Sequence, residues 1–397
     1  MPKLKKKIFK PIKLLFFSAS RAEYGMQKYF INFFKKDKRF KILFLTSGSH
    51  TSKLAVGDTS QQIKKDKIGV SKKFQIFLNS NTSKEAAKYS ISLQKLFLKY
   101  ISKSEPDYIF LSADRFETFA IAQIAMLLKI PIIHLEGGDK TSGGALDDNI
   151  RHSLTKISSI HITTNKESFN RVLKLGEEKW RVFQVGYPTI SNLKKKDLFS
   201  DRYVRKFLDN KINEKIIVFT LHPLIYEINK IKYVFSDLKK LLSLNYKIVF
   251  TYPNFDPGHK TIIKNINLFK NHKNVIIKKN LGDKLYLSLL NFLGKKKNGF
   301  LLGNSSSGIK ESLFFKLPCI NLGNRQKDRL KTKNIIDCDL KQNCVMKSVK
   351  KINKNLYKRM KNLNNIYKGN NGYQKIENVL IKNSKDKSRL LIKKISY

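Results

Sequence analysis

Residues Gly299–Ser312 read GFLLGNSSSGIKES. An apolar run enters a glycine, three consecutive serines follow, and a second glycine leads into a stretch of helical pattern. Strand, polar loop and helix in that order make the repeating unit of a parallel α/β sheet. The loop departs from the P-loop pattern, which needs Gly-Lys-Ser/Thr in unbroken order: Ile309 separates Gly308 from Lys310, and Glu311 comes next. Ser305, Ser306 and Ser307 still bring hydroxyls and backbone N–H groups to a helix N-terminus, a setting that favours anions without a lysine. Ordinary N-capping accounts for one serine, not for three between glycines. A carboxylate at Glu311, one turn into the helix, would repel a phosphate but would accept hydrogen bonds from vicinal hydroxyls. The stretch points to a ligand with both groups, as a nucleotide has.

The same rhythm runs outward in both directions. Apolar runs at Ile12–Phe17, Lys41–Thr46, Tyr108–Ser112, Ile130–His134, His161–Thr164 and Arg181–Val185 alternate with amphipathic stretches at Tyr24–Phe34, Lys84–Ile101, Glu117–Leu128 and Lys166–Leu175. After Gly186-Tyr187-Pro188 and the lysines at 194–196 the rhythm restarts, with strands predicted at Ile216–Thr220, Lys247–Tyr252, Val275–Lys278, Gly299–Leu302 and Cys319–Leu322. The pattern predicts an α/β protein of two Rossmann-like domains facing a cleft. The expected divisions are 1–188, 189–372 and a C-terminal helix and basic tail over 373–397. Ligands of such sheets bind beyond the carboxyl ends of the strands.

Composition narrows the function. The 397 residues carry 80 Lys and Arg against 30 Asp and Glu, a net charge of +50. The lysines are spread along the chain with no basic stripe interleaved with aromatics, no zinc-finger spacing and no RNP-like motif, so nucleic acid is not the expected partner. Three cysteines without C-x-x-C spacing fit a reducing cytoplasm and read as small buried hydrophobes. The apolar run Leu14–Phe17 is too short for a signal-peptide core, and no run is long enough to span a membrane.

Polar candidates gather where strands end. His134–Lys156 holds Glu136, Asp139, Asp147, Asp148, Arg151 and His152 after an apolar run. Several carboxylates in one glycine-rich loop are costly unless hydrated, paired or functional, and paired carboxylates are what proton removal and return require. Solvated loop charge is the plainer alternative, strongest for Asp148. Asp114-Arg115 is either a simple salt bridge or an acid beside a phosphate-reading arginine. Arg21 ends the first strand similarly, and His50, His222 and His259 sit among turn residues.

Taken together, SRAEYG, ADRFE, HLEGGDKTSGGALDDNIRH, LGE, VGYP, LHP, TYPNFDPGH, GNSSSGIKE and INLGNRQKDR resemble, in order from about Leu14 to Cys338, the UDP-N-acetylglucosamine 2-epimerase family, and within it the hydrolysing branch. Two departures stand out: the loop from His50 to Gly57 is one residue longer than the usual pattern, and Asp328 replaces a glycine. The resemblance implies a GT-B-like fold with UDP in the cleft. It implies that Arg21, Ser305 and Ser306 contact the pyrophosphate and Glu311 holds the ribose. Arg115, His222 and Arg325 would line the nucleotide side, and Asp114, Glu136 and Asp147 would surround the sugar. Asp114, Glu136, Asp147 and His222 are the catalytic candidates; His50, Asp148 and Arg151 join the expected substrate contacts. The expected reaction converts UDP-GlcNAc, or a UDP-2,4-diacetamido-trideoxyhexose, to the free 2-epimer and UDP, for nonulosonic acid synthesis. No metal or other cofactor is expected, and a cytoplasmic homo-oligomer, dimer or tetramer, is. A non-hydrolysing epimerase, a GT-B glycosyltransferase and a non-catalytic polyanion or nucleotide binder are the rival readings.

Overall fold

The structure is a computed structural model and describes residues 10–51, 60–76, 82–141, 146–209, 214–224, 227–253, 258–369 and 372–395. Most of the loop from His50 to Gly57, and the centre of TYPNFDPGH, lie outside the described residues.

Two parallel sheets carry the chain. The first has seven strands, β1 (Ile12–Ser18), β2 (Phe40–Thr46), β3 (Lys72–Lys73), β4 (Tyr108–Ser112), β5 (Ile132–Leu135), β6 (Ile160–Thr163) and β7 (Val182–Gln184), in the order 3-2-1-4-5-6-7. The second has six, β8 (Ile216–Thr220), β9 (Lys247–Thr251), β10 (Val275–Lys278), β11 (Gly299–Gly303), β12 (Cys319–Leu322) and β13 (Ile335–Cys338), in the order 10-9-8-11-12-13. The central strands β4, β8 and β11 are buried along their whole length, which explains their continuous apolar runs: helices cover both faces of a parallel sheet. In each sheet the chain builds outward from a central strand in one direction and then the other. The switch points lie between β1 and β4 and between β8 and β11, where loops leave in opposite directions and open a crevice.

The segment from Tyr373 onward returns to the first domain. Tyr373, Ile376, Leu380 and Leu390 share a core with Phe16, Phe30 and Phe110. Buried Arg181 donates to the carbonyls of Leu390, Arg389 and Ile392. Where the chain leaves and re-enters this domain its two passes run side by side: Tyr187 N–H donates to Tyr367 O at 2.7 Å and Gly369 N–H to Ser191 Oγ at 3.1 Å. A Cβ on Gly186 would lie 2.2 Å from the Gly369 nitrogen, so both passes need glycine there.

Cys338 ends β13 and Cys344 opens the helix Cys344–Lys350, and the turn between them brings their Cα atoms to 5.9 Å. Cys319 is a free, buried thiol, as expected.

Candidate active site

A cavity of about 490 Å³ opens between the carboxyl ends of the two sheets. That is room for a small-molecule ligand the size of a nucleotide sugar.

The wall from the second domain begins at Gly303. Its φ is +148°, and a Cβ there would sit 1.8 Å from the Thr220 carbonyl oxygen, so only glycine lets β11 turn so close to β8. Ser305 then caps the helix, accepting from Ser307 N–H at 3.4 Å. The helix Ser306–Lys310 is short, because the chain breaks into turns from Glu311 onward. Hydroxyls and N–H groups, more than a macrodipole, are what it presents. Ser307 Oγ donates to Glu311 and shares a 2.5 Å hydrogen bond with Tyr286 Oη. Burial pushes the Glu311 carboxyl up to about 7, against the opposing pull of the Ser307 hydrogen bond. Asn304 pins His222 from both sides: its Oδ1 accepts from His222 N–H at 2.7 Å and its Nδ2 donates to His222 O at 2.9 Å. The Asn304 carbonyl accepts in turn from Arg325 at 3.2 Å and Gln326 at 3.0 Å.

The first domain supplies the acids. Ala113 (φ +63°) precedes Asp114, and Glu136 itself has φ +65°. A left-handed backbone at a non-glycine residue is disfavoured and persists where the surroundings enforce it, commonly at functional sites. Asp147 opens the helix Asp147–Ile157 and reaches across to Arg325 at 4.0 Å. Arg21 lines the cavity and donates to Asn280 Oδ1 of the second domain at 2.7 Å. Arg115 also lines it and grips Glu117 through two hydrogen bonds of 3.0 and 3.1 Å, while Asp114 pairs with Arg151.

Of the thirteen residues singled out above, Arg21, Asp114, Arg115, Glu136, Asp147, His222, Ser305, Ser306, Glu311 and Arg325 line this cavity. Three do not. Arg151 is 1% exposed and points behind the wall, ion-paired to Asp114 and Asp148 and donating to the Asp139 carbonyl at 3.0 Å. Asp148 accepts from the Thr141 N–H at 2.9 Å and from its hydroxyl at 3.0 Å. His50 is buried beside β1, 2.8 Å from Ser18 Oγ. These contacts tie the three residues to other parts of the first domain.

Sequence reasoning missed two cations. Lys310 ion-pairs with Glu136 and, at 2.7 Å, with Asp139. Arg329 lines the cavity with a buried Nη1 that has no hydrogen-bond partner. The signals were present in GNSSSGIKE and INLGNRQKDR, as the lysine out of P-loop order and the terminal arginine. Burial would raise Asp139, but the charges of Lys310 and Arg329 outweigh it and hold the carboxyl down to about 2. Among the described residues no group of three His, Cys, Asp or Glu is arranged to hold a metal ion, and no helix is long and apolar enough to cross a membrane.

Comparison with known proteins gives a consistent picture. A family model described as UDP-N-acetylglucosamine 2-epimerase matches residues 32–381. The chain is 36% identical to the GDP/UDP-N,N'-diacetylbacillosamine 2-epimerase (hydrolyzing) of Campylobacter jejuni, covering 83% of this chain and 84% of that protein. It is 30% identical to the UDP-N,N'-diacetylbacillosamine 2-epimerase (hydrolyzing) of Legionella pneumophila, covering 84% and 87%. Among solved structures, UDP-GlcNAc 2-epimerase from Neisseria meningitidis bound to UDP-GlcNAc matches with a TM-score of 0.77 at 18% identity, covering 94% of this chain and 100% of that one. At that identity the likeness establishes the fold, which is GT-B-like.

Proposed function

That this chain belongs to the UDP-N-acetylglucosamine 2-epimerase family is the premise from which we propose its reaction: hydrolytic 2-epimerisation of a UDP-2-acetamido sugar to the free 2-epimer and UDP. The observation that carries the reading is the meeting of two complementary walls across one cavity. Asp114, Glu136 and Asp147 come from the first sheet, and Ser305, Ser306, Glu311 and Arg325 from the second.

The chemistry follows from what each wall can do. The C2 proton of an acetamido sugar is weakly acidic. A carboxylate removes it as the C1–O bond breaks and the electron pair leaves with UDP. Arg21, Arg325 and the serine hydroxyls receive the charge that develops on the pyrophosphate, in a site that needs little reorganisation. Glu311 holds the ribose hydroxyls, and His222 is fixed by Asn304 beside the nucleotide. A glycal remains. Water adds its hydroxyl at C1, and C2 takes a proton from the opposite face, so the sum is UDP-sugar plus water giving 2-epimer plus UDP. Acid/base groups on two sides of the sugar are needed, and Asp114, Glu136 and Asp147 supply them.

The names of the Campylobacter and Legionella relatives favour a UDP-2,4-diacetamido-trideoxyhexose over UDP-GlcNAc as substrate, and a place in nonulosonic acid synthesis. The enzyme would act in the cytoplasm, where nucleotide sugars are available. Its assembly as a homo-oligomer is supported by the exposed apolar side chains Met126, Leu127 and Leu128 at the end of one helix and Ile91 and Leu98 on the neighbouring one. The test is product analysis in D₂O without acceptor. Elimination and re-addition place solvent deuterium at C2 of an inverted free sugar. Retained hydrogen at C2 overturns the mechanism, and unchanged C2 configuration overturns the assignment.

A further inference from the structure

Lys310 is a charged side chain, 1% exposed, that the proposed chemistry leaves unused. A buried ammonium is strongly unfavourable unless it is paired. Both of its carboxylate partners come from the other domain: Glu136 in direct contact, and Asp139 at 2.7 Å. Its Nζ also lies 5.2 Å from the centre of the Tyr187 ring and 5.9 Å from that of Tyr367, within reach of a cation–π attraction.

The position of Lys310 in the chain gives this pairing meaning. It is the last residue of the helix Ser306–Lys310. Ser305, Ser306 and Ser307 before it and Glu311 after it line the cavity, whereas Lys310 does not. One short helix thus presents nucleotide-facing groups on one side and an anchor for a sugar-facing carboxylate on the other. Asp139 makes the anchor rigid. It is itself fixed by Ser168 Oγ at 2.6 Å and Thr164 Oγ1 at 3.0 Å, and it pairs with the ammonium at 2.7 Å.

Resting on the epimerase reading, we infer that Lys310 is a positioning residue: its ammonium orients the Glu136 carboxylate toward the sugar and ties that orientation to the helix that carries the nucleotide. Glu136 is then aligned only while the two domains are closed on each other. A displacement of about 1 Å at such a group lowers turnover by roughly 10²-fold.

Two variants test the role, Lys310→Met and Lys310→Arg, each assayed for kcat and KM with the UDP-sugar, for UDP affinity by calorimetry and for Tm. Lys310→Met is expected to lose roughly 10²-fold in kcat while UDP affinity stays within about threefold, because the ammonium does not face the nucleotide. Lys310→Arg keeps the charge but presents a planar fork instead of a point donor. It is expected to keep Tm near wild type with kcat still down at least about tenfold. Should the Met variant fail to fold, the Arg variant carries the test. The inference is overturned if kcat and Tm recover together in Lys310→Arg, if Lys310→Met keeps wild-type kcat, or if its loss lies wholly in KM. A wild-type enzyme that releases no 2-epimer refutes the reaction itself, which separates that failure from a failure of Lys310.

Discussion

Replacing Glu311 with glutamine should stabilise the unliganded protein at alkaline pH while weakening its hold on UDP. The folded protein raises this carboxyl from 4.5 to about 7, chiefly through burial. Its folded pKa therefore exceeds its unfolded one. The stability linked to its proton is complete below about pH 4.5 and is lost as the pH rises through about 7. A shift of this size corresponds to about 3 kcal/mol. The amide of Glu311→Gln fills the same space, still accepts from Ser307 and never ionises. Below about pH 4.5 the two proteins should melt together. Around pH 8.5 the variant should be more stable by up to about 3 kcal/mol, or some 6–12 °C in Tm on the scale of a domain of this size. UDP binding should move the other way. Ribose hydroxyls donating to an ionised carboxylate are worth roughly 1.5–3 kcal/mol, so wild-type affinity gains on the variant as the pH passes 7. Scanning calorimetry and UDP titration at both pH values check this. Parallel pH dependences of Tm in the two proteins would refute the burial argument, and equal UDP affinity at alkaline pH would remove Glu311 from the ribose.

Glu136→Gln keeps shape and hydrogen-bonding capacity but removes the ionisable group; UDP affinity should persist while UDP release from the sugar substrate falls roughly 10²–10⁴-fold. A mild loss accompanied by lower thermal stability would assign Glu136 to holding its loop. The double change Ser305→Ala with Ser306→Ala, or Arg325→Ala alone, should weaken UDP binding by roughly 1.5–3 kcal/mol per charge-assisted hydrogen bond lost. Unchanged affinity by calorimetry would move the pyrophosphate elsewhere in the cleft.

The long central strands are legible in the sequence because burial on both faces leaves them no room for polar residues. The elements that escape are short or lysine-laden: β13, the helix Asp201–Leu208 and the helix His259–Asn267, whose apolar stripes are only two or three residues deep. The site is legible for a topological reason. Asp114, Glu136, His222 and Ser305 all follow strand ends, and strand ends at a switch point face the crevice. What the sequence cannot convey is the side to which each residue turns. Arg151 looks like a ligand contact beside Asp147 and Asp148, yet it stands behind the wall. Lys310 fails the P-loop pattern, and its partner Glu136 lies 174 positions earlier in the chain.

The return of the C-terminal segment has a consequence for how the protein is made. The contiguous middle of the chain, from β8 to β13, can complete its sheet while it is being synthesised. The first domain cannot, because Tyr373, Ile376, Leu380 and Leu390 close the core around Phe16 and Phe30. Chains generally fold domain by domain from the N-terminus as they emerge. Here the core of the N-terminal half lacks these four side chains until Leu390 has been synthesised. The order of completion is inverted: the middle of the chain can finish before the part made first.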